Sequence, residues 1–517
     1  MSNAAFPLLS LIILWPIVGA LIIGLAPKQI PAKNIALVIA SIELVLTGLA
    51  FLLFNPTDGA HFQLIEQHPW IPRLHSEYLI GVDGISILFL PMTALLTLSA
   101  IIASWNSVQH LQRLHFALLL LLEGITLGVF SALDLLLFFL FWELTLPPLF
   151  FLIGLWGIGP KRRNAAMKYT LFMLFGGVPL LFAILLLAMN HVTAVSGSLP
   201  DDLSFNLLVL METPLANPLQ LIVFVLLLLG FSAKAPLVPF HTWLPTATME
   251  GPTQVTALLI GLKLGLYGIL RFALPLAPSA AVEYSWTLGI LGAITLIYGA
   301  LIALQQTNLR RLLAYASISH VGLVLIGIAS LTQQGLQGAL FQLFNFTLIS
   351  SSLMLIAGFI QQRTGSNEAI HLGGLAKVAP RLTSFYFLFM LASIGLPGTS
   401  GFPAELLLIL GGLTAHHSLG FSALAGAILS AAYMLSFTRK AFLGPITQVS
   451  LNAIHDLRPR EIALLCIPAL LVLALGFLPN RLLKTNQMAA EAWLSRILEQ
   501  PVLEHNEFIQ LSTPERV

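Results

Sequence analysis

Five ionisable side chains fall inside long apolar stretches: Glu143 in FFLFWELTLPPLFF, Lys234 in GFSAKAPLVPF, Lys263 in LIGLKLGLYG, His320 in ASISHVGLVL and Glu405 in TSGFPAELLL. An ionisable group at the centre of a bilayer costs roughly 2.5–3.5 kcal/mol on insertion scales, so each needs a reason to be there. Carboxylate, ammonium and imidazole are the side chains that take up and release protons when removed from water. A sodium path would favour several oxygen ligands around a helix break rather than lysines, so protons are the expected cargo. Glu143 lies nine residues into its apolar segment, about 14 Å deep at helical rise, and the other four are expected at a similar depth. A row at one depth moves charge along the membrane plane, with wet access routes joining it at chosen points. A Glu143–Lys234 pair would hold both charges when closed, and opening it would send a proton towards Lys263.

Each residue also has a structural alternative. Glu143 could serve only to tie two helices, Lys263 could snorkel, and His320 could hydrogen-bond to Ser317 and Ser319. His241, just after Pro239, is a candidate bridge between Lys234 and Lys263. Glu43 and Glu123 are intramembrane carboxylates without a comparable pattern. Asp83, Asp134, Lys168 and Arg271 lie near segment ends, where capping or interfacial roles are expected.

The elements that must position these groups are membrane helices. Of 517 residues 57% are hydrophobic and only 9% charged, too little charge to clothe a water-facing surface. A helix needs about 20 apolar residues to cross a bilayer. Fourteen spans are expected, near 6–26, 34–54, 81–104, 113–132, 134–158, 165–189, 216–249, 253–274, 283–304, 311–332, 336–361, 383–414, 419–441 and 461–480. The first lacks a basic leader and a cleavage site and reads as a real span. The tail from Asn480 is polar enough for the membrane surface, with an amphipathic run at Met488–Leu498. Lysines and arginines, including Lys28, Lys161, Arg162, Arg163, Arg310, Arg311, Arg439 and Lys440, gather in loops after odd-numbered spans, whereas 190–215 carries Asp201, Asp202 and Glu212. Odd span ends should therefore face the cytoplasm, and both termini the opposite compartment.

Two spans are interrupted. Pro236 and Pro239 break the seventh; Gly395, Pro397, Gly398, Gly401 and Pro403 break the twelfth. A kink for packing would explain either alone. Five spans apart, the two run in opposite directions, as in an inverted repeat of spans 4–8 and 9–13, and paired broken helices mark an ion path. The chain divides accordingly into spans 1–3 (1–112), a first five-helix repeat (113–274), a second (283–441), and a last span with surface tail (461–517). The fold class is an all-α polytopic membrane protein.

Other chemistry is thinly represented. The lone Cys466 can neither build an iron–sulfur cluster nor close a zinc site, no His/Cys cluster has metal-ligand spacing, and no basic run suggests nucleic acid. GLPGTSG lies within an apolar span and reads as a helix break, not a phosphate cradle.

The stretches FFLFWELTLPPLFFLIGLWG, FSAKAPLVPFHTWLP, LLAYASISHVGLVLIGI, HLGGLAKVAPR and GLPGTSGFPAELL resemble the antiporter-like subunits of respiratory and photosynthetic complex I, most of all the subunit 4 type, over about residues 81–479. The resemblance implies fourteen helices with inverted five-helix repeats, Glu143 and Lys234 as coupling pair, Lys263 as central proton carrier, and His320 and Glu405 in the relay. It implies that this chain binds no cofactor. NAD(P)H or ferredoxin, iron–sulfur clusters and plastoquinone would be handled by other subunits, and the partners are those subunits, including neighbouring antiporter-like ones, and lipid.

Two departures stand out: WLPTATMEGP, Trp243 to Pro252, where relatives commonly read WLPDAH, and Phe346, beside Asn345, where many have a histidine. They resemble divergent cyanobacterial forms of photosynthetic complex I devoted to carbon dioxide uptake, which implies a thylakoid location with lumenal termini. Without that histidine, water or Asn345 must bridge His320 and Glu405. Two alternatives share the fold: a subunit of a multi-subunit sodium/proton antiporter without redox link, and a membrane spacer that no longer pumps.

Overall fold

The computed structural model describes residues 6–27, 29–446, 448, 451 and 454–499. Lys28 and both chain ends, on which part of the orientation argument rests, lie outside the described residues. Among those described, twelve helices are long and apolar enough to cross a membrane, from Leu8–Leu25 to Pro459–Phe477. Shorter apolar helices, Phe89–Ser104 and Gly401–Ala415, stand in the third span and in the second half of the twelfth. Every expected span thus has a helix, and the protein is a polytopic helical membrane protein.

Burial separates a centre from a perimeter. Leu309–Ala329 and Gln333–Thr364 are each 94% buried within the chain and Thr253–Leu276 is 89% buried, against 39% and 33% for the first two helices. The central helices are those that carry Lys263, His320 and Phe346. A helix that is apolar on every side suits either surrounding, so composition alone does not rank them.

The polar stretch after the second span is not plain loop. Strands Gln63–Ile71 and Ser76–Val82 pair antiparallel through a turn containing Pro72 and His75, which has φ +50°. Strand pairing claims the residues up to Val82, so the third helix begins at Phe89 and not near 81. This hairpin is the exception to an all-α fold. It is fastened to helix ends: Glu66 accepts from the Leu9 amide at 2.7 Å and from the Ser10 hydroxyl, placing a carboxylate at an N-terminus whose amides lack helical partners. Asp134 accepts from Ser76 Oγ at 3.1 Å and the Glu77 amide at 3.0 Å while capping the fifth span.

The tail forms a helix, Asn480–Glu499, that buries Leu482, Ala489, Ala490, Trp493 and Ile497. It runs from Gln333, which donates to Glu491, to the loops at Gly59 and Gly84, so it straps one end of the bundle. Asp83 and Arg271 form a buried ion pair near this end, a tie between two segments and not the capping or interfacial role expected of each.

Candidate proton path

Three broken spans meet to build the first part of the site. The fifth is two helices, Leu135–Leu144 and Leu146–Trp156. Asp134 caps the first through the Leu136 and Leu137 amides, both at 2.9 Å. Pro147 and Pro148 supply no N–H to the carbonyls one turn earlier, so the helix parts just after Glu143. The Glu143 carboxylate lies against Gly177 of the sixth span, where a Cβ would meet Oε1 at 2.3 Å.

The seventh span winds from Asn217 to Lys234, opens at Ala235–Pro239, makes a tight turn at Phe240–Thr242 and resumes as Trp243–Glu250. Lys234 is therefore the last residue before the break. Its ammonium donates to the Trp142 carbonyl and to Thr145 Oγ1, both at 3.0 Å, and sits 3.8 Å from the centre of the Trp142 ring. Glu143 and Lys234 are electrostatic neighbours, but no direct ion pair joins them. The expected closed pair is replaced by contacts to the residues flanking Glu143. Lys234 keeps a carbonyl, a hydroxyl and a ring face as partners, a set that supports an ammonium without a carboxylate.

The eighth span was expected to be continuous. Instead Thr253–Gly261 stops, Leu262 and Lys263 leave helical geometry, and Leu264–Gly268 resumes before a π-turn at Ile269–Ala273. Lys263 thus sits in a third break. Gly265 explains how this break reaches that of the seventh span: a Cβ there would stand 2.2 Å from the Ala235 nitrogen and 2.6 Å from the Phe231 carbonyl. Between the breaks lies a cavity of about 40 Å³, lined mostly by leucines, Leu262 and Leu264 among them, with Thr126, Thr145, Tyr169 and Lys234 as its polar members. It is large enough for a water molecule, and it extends from Lys234 to Leu262 and Leu264, the neighbours of Lys263.

On the far side Lys263 donates to Ser317 Oγ at 2.6 Å and stands 4.9 Å from the centre of the Phe346 ring. Ser317 lies one helical turn before His320. The His320 ring is buried, 6.2 Å from that of Phe346, and its Nε2 has no partner. Ser319 donates to Leu296 of the ninth span, so neither serine occupies this ring nitrogen.

The twelfth span parts between Pro380–Ser393 and Gly401–Ala415. Gly395 and Gly398 have φ of +69° and +90°, conformations that side chains disfavour. A Cβ on Gly395 would also stand 2.5 Å from Glu405 Oε2, so the break makes room for the carboxylate. Glu405 is 5% exposed and lies near Tyr433.

The structure thus brings Lys234, Lys263 and His320 into succession, with Glu143 beside the first and Glu405 at the glycine-rich break of the twelfth span. His241 takes a different place. Its ring lies 5.0 Å from that of Tyr298 and near Lys168, and it makes no hydrogen bond to Lys234 or Lys263. Lys168 donates to the Thr242 carbonyl at 2.7 Å, holding the sixth span to the break of the seventh. Glu43 of the second span and Glu123 of the fourth are electrostatic neighbours, 0% and 1% exposed, with all four oxygens unpartnered. Sequence reasoning missed Trp142, Thr145 and Ser317 as lysine partners. Pro147 and Pro148 were the available signal for the break at Glu143.

Broken helices that hold buried lysines and carboxylates in a row across a helical membrane bundle define an ion-translocating, antiporter-like class of protein. Residues 132–430 match the family described as "NADH:quinone oxidoreductase/Mrp antiporter, TM", and the chain belongs to it. NADH-quinone oxidoreductase subunit M of Rickettsia prowazekii (strain Madrid E) is 36% identical over 491 residues, covering 94% of this chain and 98% of that protein. NAD(P)H-quinone oxidoreductase chain 4 1 of Synechococcus sp. (strain JA-3-3Ab) is 38% identical over 504 residues, covering 95% and 94%. A chain of respiratory complex I from Thermus thermophilus superposes with a TM-score of 0.85 at 31% identity, covering 95% of this chain and 99% of that one. A chain of the Mrp complex from Dietzia sp. DQ12-45-1b shares the fold, with a TM-score of 0.79 at 22% identity.

Proposed function

We infer that the chain is the proton-translocating membrane subunit, of the subunit M or chain 4 type, of a quinone-reducing complex I. Electron transfer takes place in other subunits, and this one answers it by moving protons through Glu143, Lys234, Lys263, His320 and Glu405. One observation carries the reading: the breaks at Lys234 and Lys263 abut through Gly265 and border a small cavity, mainly apolar, into which Lys234 faces beside Thr145 and Tyr169. Opening of the contacts at Lys234 would return its ammonium to Glu143 or release a proton into that cavity towards Lys263. Spans 4–8 and 9–13 then act as inverted halves, each contributing one of the sequence-legible breaks, and His241 works from its place at Lys168 and Tyr298 as an access group.

The partners are other membrane subunits of that complex, among them further antiporter-like chains. The finer assignment is to a cyanobacterial photosynthetic complex I in the thylakoid, with plastoquinone as acceptor, NAD(P)H or ferredoxin as donor, lumenal termini, and a form linked to carbon dioxide uptake. Support comes from the cyanobacterial chain 4 relatives and from the departures at Trp243 to Pro252 and Phe346.

Purification of the tagged chain from its native membrane tests the reading. Recovery with quinone-site and iron–sulfur subunits is expected. Recovery without them, together with sodium-dependent proton exchange, would instead establish a redox-independent antiporter, whose fold is shared.

A further inference from the structure

Three cations that the proton path does not use meet around one indole at an end of the bundle. Lys33 opens the helix of the second span, Ala32–Leu53, and Trp105 closes that of the third, Phe89–Ser104. Arg458 and Arg460 open the helix of the last span, Pro459–Phe477. The Lys33 ammonium stands 4.9 Å from the centre of the Trp105 ring, and the Arg460 guanidinium 5.7 Å from it. With its amide turned to face the arginines, Asn106 Oδ1 accepts from Arg458 Nη1 at 2.7 Å and from Arg460 Nη2 at 3.3 Å. Two guanidiniums thus converge on one neutral oxygen, and Arg460 Nε is buried without a partner.

Like charges at close quarters repel until something negative joins them. The carboxylates nearby are engaged elsewhere. Glu461 is ion-paired with Arg363 and accepts from the Arg458 amide at 2.9 Å, and Asp456 accepts from the Arg381 and Leu382 amides at 2.8 and 3.1 Å. No ion pair among the described residues includes Lys33, Arg458 or Arg460. Below the cations both helices turn apolar side chains outwards: Val38, Val45 and Leu52 on one, Ile467, Leu470 and Phe477 on the other, each 46–80% exposed. A free anion would answer the cations and leave these faces bare. A molecule that is anionic at its head and apolar below it answers both, and tryptophan is the side chain that sits at headgroup level. We propose that Lys33, Arg458 and Arg460 bind the phosphate of an anionic phospholipid, beside Trp105, with its acyl chains along the second and last spans. Guanidinium N–H groups match phosphate oxygens in pairs, which an ammonium does not. Both helices pack on the third span, so the lipid joins elements from opposite ends of the chain.

The membrane complex purified through this chain is stripped of lipid in detergent and mixed with phosphatidylglycerol that carries a photoreactive acyl chain. After illumination, mass spectrometry reads which peptides of this chain gain label. Label is expected in Ala32–Leu53 and Pro459–Phe477, in excess over that from phosphatidylcholine with the same chains. Each basic side chain near a membrane surface favours anionic lipid about fivefold, so Arg458→Gln with Arg460→Gln should cut the label about 25-fold. Arg458→Lys with Arg460→Lys, which keeps the charge, should retain most of it. Equal labelling by the two lipids, or unchanged label in the double glutamine variant, overturns the proposal. Displacement of the lipid by inorganic phosphate at the same concentration also overturns it, since the site would then take the free ion. Absence of label from both helices in the parent complex, as another subunit seated there would cause, overturns it as well. If the double glutamine variant does not assemble, Lys33→Gln decides: a fivefold loss of label supports the lipid site, and undiminished label overturns it.

Discussion

The ammonium of Lys263 donates to the hydroxyl of Ser317 at 2.6 Å, and Ser317 lies three residues before His320 on one helix, so the break in the eighth span is tied to the face that carries the imidazole. A lysine held by one hydroxyl and one aromatic face is loosely tied, which suits the role proposed for it above. Ser317→Ala should therefore lower coupled turnover about tenfold, since loss of a hydrogen bond to a charged group is worth about 1.5 kcal/mol at its lower end. Quinone reduction by the reconstituted complex, with and without an uncoupler, is the check; equal rates for variant and parent would contradict it.

Gly265 is a second fixed point. A Cβ there meets backbone atoms of Ala235 and Phe231, which cannot swing aside as a side-chain tip can. Gly265→Ala should separate the two breaks and destabilise the chain by about 1–3 kcal/mol, the usual range for overpacking. Thermal unfolding of the purified complex followed at this subunit, together with pumping efficiency, reads both consequences.

Gly395 joins conformation to chemistry. Alanine at φ +69° pays the left-handed penalty of roughly 1–2 kcal/mol, and its Cβ would press on the Glu405 carboxylate. Gly395→Ala should reduce pumping more than Gly365→Ala, where φ is also positive but nothing lies near the added carbon. Parallel proton-uptake measurements on the two variants test this, and equal loss would place the effect in the backbone alone.

These positions show what was legible in the sequence. Glu143, Lys234, Lys263, His320 and Glu405 were visible because charge in apolar helix is costly, and the breaks at Pro236–Pro239 and Gly395–Pro403 because proline and glycine interrupt helices. The break at Lys263 has no proline, and nearby Gly265 alone reads as a packing residue; only the backbone of Ala235 across the gap shows its use. The hairpin at Gln63–Val82 was hidden because Leu79–Val82 runs on into an apolar span, and two short strands carry little periodicity. Partners such as Trp142 for Lys234 are separated by 92 residues and follow from the tertiary fold, not from spacing.

Glu43 and Glu123 provide a contrast to the relay. Two unpartnered neighbouring carboxylates inside the bundle repel when ionised and want solvent when neutral. Glu123→Gln should raise the thermal stability of the subunit by about 1 kcal/mol, the scale of relieving one buried polar conflict, while pumping continues. A melting curve and a proton-to-electron ratio on the same preparation decide; loss of pumping would add this pair to the path.

The central claim is that protons pass through Lys263. The direct measurement is the proton-to-electron ratio and quinone turnover of a fully assembled complex carrying Lys263→Ala, in sealed vesicles. The account predicts loss of coupled quinone reduction and of the protons moved by this subunit, with assembly intact. Unchanged turnover with an unchanged ratio would contradict it.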